Sequence, residues 1–469
     1  SGKESDAYTT ALGNLGFLYK ILKKYDLAEQ LYLESIEIEE KIYNGKGQGL
    51  VSSYNNLASL YTKTKKYEKA ILASKKALVA NIPNIDLKTL DLKKLDSYQY
   101  IHSHLSQRSI YFLIELLGKY SLKKGEQMDA PLVLSIAESA IKLCDKIRTA
   151  YTADDYKSRA LYYNTEFIDR GIEAAIILDD QVFFRKAFMF SEQGRSLNLA
   201  DALKSTKTQR LGYLPEALIA KGKALLKESD RLKKMELESY KDSTLKYNLR
   251  EETIKFNLEI SDFEKGIKEE YPKYHALKYA PLVNDLNEIQ QKLDKNTAIL
   301  EYYQRGSRTY LFSLSKDKLK IYDIKKRAKE NRKKVAEFRK TLTNYSYINK
   351  NRAEAYAKYI ELGSWFYDNL LKVALDDLTD IHHLIIIPDE SLSFIPFESF
   401  LTQAAQQDSI DYKQLPYLMN QYKISYSYSG TLWAEKLEES QNNKSGNGQL
   451  LAVASSYRNN HNNESNNQK

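Results

Sequence analysis

A repeat of 42 residues near the start of the chain constrains the fold more than any other feature. Shifting the sequence by 42 positions aligns residues 14–28 with residues 56–70 and gives eight identities in fifteen positions. In each copy the apolar residues follow helical spacing on one face, and a lysine-rich turn leads into a second helix. Because such a pair cannot bury its apolar face alone, neighbouring pairs must stack into a solenoid.

The small and aromatic residues of each copy resemble those of tetratricopeptide repeats. The family has a small residue, a tyrosine and an alanine at fixed relative positions, which here are Gly16, Tyr19 and Ala28, and then Ala58, Tyr61 and Ala70. We therefore predict a tetratricopeptide-type α-solenoid over residues 1–206, with clear repeats at 8–40 and 50–82. Two further helical pairs with a drifted consensus are predicted at 97–150 and 153–204.

Long charged helices are predicted over residues 207–280. Leu218, Leu225 and Leu232 recur every seven residues, and a second apolar seam runs from Leu249 to Ile267. Because residues 240–248 can turn the chain back, we predict an antiparallel helical hairpin. A single long straight helix is the alternative, since neither Gly nor Pro interrupts that turn.

Residues 281–440 are predicted to form a mixed sheet covered by helices. The run His383–Pro388 is typical of a strand buried on both faces, which requires helices on both sides of the sheet. Strands are also predicted at 298–303, 309–314, 318–324 and 422–428, and helices at 325–343 and 352–375. Residues 441–469 are rich in Asn and Ser, and we predict a linker, one strand at 450–454 and a mobile tail.

The segment Leu384–Phe400 carries the most specific motif of the chain. A strand ends at Pro388, a polar turn follows, and Pro396 is placed to open a short helix that carries residues 397–401. This order of residues resembles the opening of the CHAT family, caspase-like cysteine proteases that are found joined to tetratricopeptide repeats. By this resemblance structural roles fall on Pro388, Asp389, Leu392, Pro396, Phe397 and Glu398.

The resemblance also reaches neighbouring segments. Residues 298–314 resemble the paired strands that enter the CHAT domain. We therefore predict that residues 281–440 form the amino-terminal, non-catalytic part of a CHAT domain. Residues 187–203, with Ser191 and Glu192 before Arg195, resemble the helix that ends the repeats in such proteins. The order of repeats, hairpin and CHAT domain is itself specific.

The catalytic dyad of the family has no counterpart in this sequence. The family places a His-Gly pair and a later Cys after the strand that residues 450–454 resemble, because the chemistry needs a thiolate activated by an imidazole. Neither a His-Gly pair nor a Cys follows residue 454, so we assign no catalytic residue. The single cysteine, Cys144, lies on an apolar helical stripe and is expected to be buried.

Neither a metal site nor a cofactor is predicted, because the scattered histidines are not joined by further ligands. One cysteine excludes an intramolecular disulfide and fits a reducing compartment, so we expect a cytoplasmic location. The longest apolar runs have about five residues, far fewer than the ~20 that a spanning helix needs.

The concave face of the repeats is the predicted binding surface. Transferring the groove positions of the family gives Lys20, Asn55, Thr62 and Lys63. Asn can hydrogen-bond an extended peptide backbone, and Lys can meet a carboxylate. The alternative, that these are ordinary solvated polar residues, has equal weight.

The net charge of +9 is local rather than general. Residues 316–340 hold twelve Lys and Arg against four Asp and Glu, and therefore contribute +8. A solvated helix face is the expected explanation, and nucleic-acid binding is not expected because Phe338 is the only aromatic residue in 325–340.

These features predict the protein-binding and regulatory portion of a caspase-like cysteine protease, catalytically silent in this chain. The expected partners are a protein or peptide in the repeat groove and, in cis, the remaining part of the protease. The alternative is a non-enzymatic scaffold whose CHAT-like region is a pseudo-domain. A third hypothesis, nucleic-acid binding through 316–340, is the weakest.

Overall fold

The computed structural model describes residues 5–101, 103–124, 128–150, 154–195, 215–238, 285–305, 308–324, 328–403 and 410–442, with scattered helical positions in 252–271. Helices of the first part pair in chain order, and they are α1 (Asp6–Ile21), α2 (Tyr25–Tyr43), α3 (Gln48–Lys63), α4 (Tyr67–Asn81), α5 (Ser103–Lys124), α6 (Ala130–Ala150), α7 (Asp154–Leu178) and α8 (Gln181–Gly194). A 3-10 turn at Leu92–Ser97 precedes α5. The predicted solenoid of helical pairs is confirmed.

The 42-residue repeat has a direct structural counterpart. Lys23 and Lys65, which occupy the same repeat position, both turn the chain with left-handed backbone at φ 60° and 59°. Gly16 lies at a tight contact between α1 and α2, since a Cβ atom there would lie 2.7 Å from Cε1 of Tyr32. A larger residue would therefore separate the two helices, which is why the position is small in both copies.

A charged helix, α9 (Glu216–Glu238), follows the repeats. Gly222 of α9 lies against Phe263, and the Arg231 guanidinium lies 3.4 Å from the Glu252 carboxylate. These two contacts bring α9 beside the helical positions of 252–271 in the opposite chain direction, as the predicted hairpin requires and a single straight helix does not allow. The predicted turn at 240–248 lies outside the described residues.

The carboxyl-terminal part holds a five-stranded mixed sheet in the order β3-β2-β1-β4-β5. The strands are β1 (Thr297–Arg305), β2 (Arg308–Leu314), β3 (Leu319–Ile324), β4 (His383–Ile387) and β5 (Lys423–Tyr426). The first three are antiparallel, whereas β4 runs parallel to β1 and β5 runs parallel to β4. The predicted mixed sheet is confirmed, and the predicted strand at 450–454 lies outside the described residues.

Helices cover both faces of this sheet. The covering helices of this part are α10 (Leu286–Lys292), α11 (Ala328–Thr343), α12 (Tyr345–Lys350), α13 (Arg352–Phe366), α14 (Lys372–Leu375) and α15 (Gly430–Asn442), with a π-helical turn at Tyr367–Leu371 between α13 and α14. Leu384 and Ile386 of β4 pack into a core with α11 and α13, whereas Ile385 and Ile387 pack into the core of the repeats. The last repeat helices thus form one layer of the sheet domain.

The segment after Pro396 departs from its predicted short helix over 397–401. Only a 3-10 turn forms, at Phe397–Ser399, and the chain then becomes extended. Leu401 bridges to Tyr417, and Phe400 O accepts a hydrogen bond from Leu418 N at 2.8 Å. These backbone pairings hold the segment extended, so Pro396 caps a turn rather than opening a helix.

Among the described helices, none combines the length and the apolarity that crossing a membrane requires.

Candidate functional site

The first helices of three successive pairs, α1, α3 and α5, hold two cations close together. Lys20 of α1 is partly buried and donates a hydrogen bond to Ser59 Oγ at 3.1 Å. Arg108 of α5 donates to Asn56 Oδ1 at 3.2 Å. Burial lowers the pKa of Lys20, and the Arg108 guanidinium lowers it further because the two positive charges repel each other.

Aromatic rings lie beside these two cations. The ammonium of Lys20 lies 4.9 Å from the ring centroid of Phe17, and the guanidinium of Arg108 lies 5.6 Å from that of Phe112. Both cations therefore donate hydrogen bonds to neutral side chains and lie over aromatic faces, and neither forms an ion pair with a residue that the structure describes. We name Lys20, Asn56, Arg108 and the ring of Phe17 the cationic groove.

The other predicted groove residues lie nearby in different settings. Asn55 is 1% exposed, and neither of its amide atoms has a hydrogen-bond partner among the described residues. Thr62 donates its hydroxyl to Ala58 O at 2.7 Å, and Lys63 is exposed. Sequence reasoning missed Arg108 because it belongs to the third pair, where the repeat consensus has drifted.

A second polar cluster lies where β1 and β4 end. Asp389 follows β4 and accepts hydrogen bonds from Gln304 N at 2.7 Å and from its neighbour Glu390 N at 3.0 Å. Glu390 itself has left-handed backbone with φ 44°, and its carboxylate accepts from Arg332 at 2.6 Å. The polar turn of the motif is thereby tied to both β1 and α11.

The remaining motif residues pack below this turn. Leu392 and Phe397 are fully buried, and the Phe397 ring lies 5.4 Å from that of Tyr302. Glu398 accepts a hydrogen bond from the Tyr426 hydroxyl of β5. The backbone carbonyl of Pro388 accepts a hydrogen bond from Arg195.

The end of α8 is inserted between these strand ends. Arg195, just after α8, donates to Glu301 Oε1 at 3.0 Å, to Pro388 O at 3.1 Å and to Tyr302 O. Ser191 donates its hydroxyl to the same Glu301 carboxylate. Burial alone would lower the pKa of Arg195, but the carboxylates of Glu301, Asp389 and Glu192 raise it, so the guanidinium stays charged.

Glu192 holds a second element in the same way. Its carboxylate is buried and accepts the backbone N–H groups of Gly430 and Thr431, both at 2.7 Å. These are the first residues of α15, where unpaired N–H groups and the helix dipole favour an anion. Because Glu192 and Arg195 are one helical turn apart, one end of α8 contacts the segments after both β4 and β5. We call these two residues the α8 clamp.

The thiol of Cys144 lacks the properties of a catalytic nucleophile. Cys144 is 1% exposed in α6, and its Sγ accepts a hydrogen bond from Gln107 Nε2 at 3.1 Å. Burial raises the pKa of this thiol well above its usual range, which disfavours the reactive thiolate. Its burial agrees with the expectation from the sequence.

Histidine placement is equally informative. His383 lies at the amino end of β4 and contacts Ser425 Oγ at 2.8 Å, and burial lowers its pKa. The amino ends of parallel strands are opposite to the edge where sites in such sheets form. His461 lies outside the described residues.

Comparison with known families gives two matches. The tetratricopeptide repeat matches residues 8–78, and the CHAT domain matches residues 361–466. No curated protein gives a significant match to the chain. Both resemblances drawn from the sequence are confirmed: an early part of the chain matches tetratricopeptide repeats and a later part matches the CHAT domain.

Proposed function

We propose that this chain is the protein-binding and regulatory portion of a caspase-like cysteine protease, and that it is silent in catalysis. The α8 clamp carries this proposal. It joins the last helix of the repeats to the segments after β4 and β5, and in open α/β sheets functional groups collect at the carboxyl ends of parallel strands. A movement of the last repeat helix would therefore displace the segments after β4 and β5, where a protease would assemble its reacting groups.

The cationic groove supports partner binding as the input. Lys20 and Arg108 hydrogen-bond to neutral side chains, so a carboxylate entering the groove would gain charge-assisted hydrogen bonds from both. The partner that this chemistry favours is an extended acidic peptide segment. The exposed ring of Phe17 adds apolar contact to such a segment.

The chemistry of the single thiol supports the proposed catalytic silence. Cys144 is buried in the repeats and accepts a hydrogen bond from a glutamine rather than from an imidazole, so it lacks both access and activation.

The domain limits of 1–206, 207–280, 281–440 and 441–469 are also part of the proposal. So is the assignment of Pro388, Asp389, Leu392, Pro396, Phe397 and Glu398 as structural residues of the CHAT motif.

A binding experiment tests the groove. A fluorescently labelled decapeptide of glutamate is titrated onto the full chain, with a lysine decapeptide as the matched probe of opposite charge. We expect the glutamate peptide alone to bind, and the double variant Lys20→Met and Arg108→Met to weaken binding tenfold or more. Lys93→Met, an exposed lysine outside the groove, serves as the control and should change nothing.

Hydrogen exchange tests the regulatory part of the proposal. With the glutamate peptide bound, amide exchange is expected to change in β4, β5 and α15 of the unmodified chain, and not in a Glu192→Ala variant. Exchange changes confined to α1, α3 and α5 would reduce the molecule to a binding scaffold. Thiol-dependent hydrolysis of casein that is lost in Cys144→Ala would contradict catalytic silence.

The gene sequence distinguishes the two hypotheses, part of a protease and a non-enzymatic scaffold. Codons after Lys469 that encode a His-Gly pair and a later Cys would support a protease, whereas a stop codon there would favour the non-enzymatic scaffold.

A further inference from the structure

A cavity of about 390 Å³ opens between α6, α8 and the start of α10. Contacts between these helices frame it. Lys186 of α8 forms an ion pair with Glu138 of α6 at 2.6 Å, and Arg185 of α8 donates a hydrogen bond to Asn287 of α10 at 2.7 Å. The volume lies near the lower end of the ~300–1,000 Å³ that is typical of cavities for small organic molecules. The cavity can therefore hold a small ligand.

The inner wall of the cavity is apolar. Ile141, Phe190 and Leu286 line it, one from each of the three helices, and they are only 2%, 6% and 2% exposed. Met189 adds a flexible thioether side chain, which adapts to the shape of what it contacts. An apolar chain or ring that enters the cavity would lose its contact with water, and this favours binding.

The lining of the cavity also carries an excess of positive charge. Three cations, Lys142, Arg185 and Lys186, stand against the two carboxylates of Glu138 and Asp285, which leaves a net charge of +1. Lys186 neutralises Glu138, and the Asp285 carboxylate accepts a backbone N–H of α10 at 2.8 Å. Lys142 and Arg185 are exposed, and neither forms an ion pair with another described residue. Their charge is available to a ligand.

The guanidinium of Arg185 is held in place by neutral partners. It donates to Asn287 Oδ1 at 2.7 Å and to Gln290 Oε1 at 3.5 Å, both in α10. These contacts use two of the five N–H donors that a guanidinium has. The planar guanidinium matches the geometry of carboxylate and phosphate groups. Arg185 is thus positioned by α10 and still has donors for an anion.

We propose that this cavity binds a small amphiphilic anion. Its apolar chain or ring lies against Ile141, Phe190 and Leu286, and its acidic head group, a carboxylate or a phosphate, lies between Arg185 and Lys142. The cavity shares no residue with the cationic groove, which is built on α1, α3 and α5. It is therefore a second and separate anion site, open to small molecules.

Calorimetric titration of the full chain with octanoate tests the proposal. We expect saturable binding with a Kd of about 1 mM or lower. Octylammonium and 1-octanol have the same chain with a positive or a neutral head group, and both should bind about tenfold more weakly or not at all. In a parallel titration with octyl phosphate, the acid that binds more tightly identifies the head group. Absence of saturable binding by both acids, or equal binding of octanol and octanoate, would overturn the proposal.

Variants test the role of the two cations. Lys142→Met removes a charge without removing a hydrogen bond to another described residue, and it should weaken octanoate binding about fivefold. Adding Arg185→Met should bring the loss to about tenfold or more. Lys146→Met is the matched control, because it removes the same charge from α6 outside the cavity and should leave the affinity unchanged. An octanoate affinity that Lys142→Met does not alter would contradict the proposal.

Hydrogen exchange locates the bound octanoate. Amide exchange should become slower in residues 138–142, 185–190 and 286–290 of the unmodified chain, and not in α1 or α3. The double variant Lys20→Met and Arg108→Met, which disables the cationic groove, should bind octanoate as the unmodified chain does. Loss of octanoate binding in that variant would assign the anion to the cationic groove and overturn the proposal, while leaving the proposed function of the groove intact.

Discussion

Asp169 has a largely buried carboxyl group, and burial disfavours its charged form. It lies in α7 at the contact with the β1–β2 end of the sheet, where it accepts a hydrogen bond from the Tyr303 hydroxyl. Burial raises the pKa of Asp169 to about 6, although Tyr303 and Arg305 oppose that rise and Glu166 adds to it. The carboxyl is therefore more easily protonated in the folded protein than in the unfolded chain, whose value is 3.8.

The pH dependence follows from this difference. A raised folded-state pKa gives stability that is present below pH 3.8 and is lost as the pH rises through about 6. A difference of this size corresponds to ~3 kcal/mol as an order of magnitude. Asp169→Asn, which is neutral at every pH, should unfold at higher urea concentration than the unmodified chain at pH 7.5.

At pH 4 the two proteins should have nearly equal midpoints. Asp317→Asn, at an exposed turn residue, is the control and should show no such crossover. An advantage of Asp169→Asn that is the same at both pH values would show that charge is not its cause.

At the scale of elements, α15 depends on a residue more than two hundred positions away. Glu192 accepts the N–H groups of Gly430 and Thr431, while Ser429 Oγ accepts that of Leu432 at 3.1 Å. Three of the first N–H groups of the helix are thus paired by side chains, two of them by one carboxylate of the repeats. The start of α15 is consequently fixed to α8.

Glu192→Ala should loosen α15 before it affects the rest of the sheet. The change leaves two buried N–H groups without an acceptor and removes an anion from the helix start, at a cost of about 2 kcal/mol. Amide exchange measured by mass spectrometry should become faster over residues 430–438. The neighbouring Gln193→Ala is the control, and faster exchange there as well would point to a general loosening of α8.

Elements with strong periodicity were predictable from the sequence, and those set by distant contacts were not. The buried run of β4 and the helices of the two clear repeats follow from apolar spacing alone. The extended segment after Pro396 does not, because its conformation is fixed by pairing with residues 416–418. Likewise, Arg108 carries no repeat signal, and the partners of Glu192 and Arg195 lie in another part of the chain.

At the scale of the whole molecule, Arg195 and Glu301 connect the repeats to the sheet through an ion pair that excludes water. The side chains of Arg195 and Glu301 are 8% and 0% exposed, respectively. Taking one partner away from a buried pair leaves the other charge uncompensated, which costs more than the pair itself contributes. The junction should therefore respond asymmetrically to single and double substitutions.

Arg195→Met is expected to destabilise the protein by about 3–5 kcal/mol. Adding Glu301→Leu should recover much of that loss, because no unpaired buried carboxylate then remains. Calorimetry should show one unfolding transition for the unmodified chain and an earlier, separate one for Arg195→Met. Arg185→Met, which loses hydrogen bonds to two neutral side chains, those of Asn287 and Gln290, is the control. A double variant no more stable than Arg195→Met would show that the unpaired Glu301 carboxylate is not the cause of the loss.

The sealed position of Cys144 has a practical consequence. As the chain has one cysteine and its thiol is enclosed, maleimide reagents should leave the folded protein unlabelled. A single surface cysteine added by mutagenesis then becomes the sole attachment point for a spectroscopic probe, without first replacing the native residue. Pairs of such probes on α1 and α15 turn separation between the repeats and the sheet into a directly readable distance.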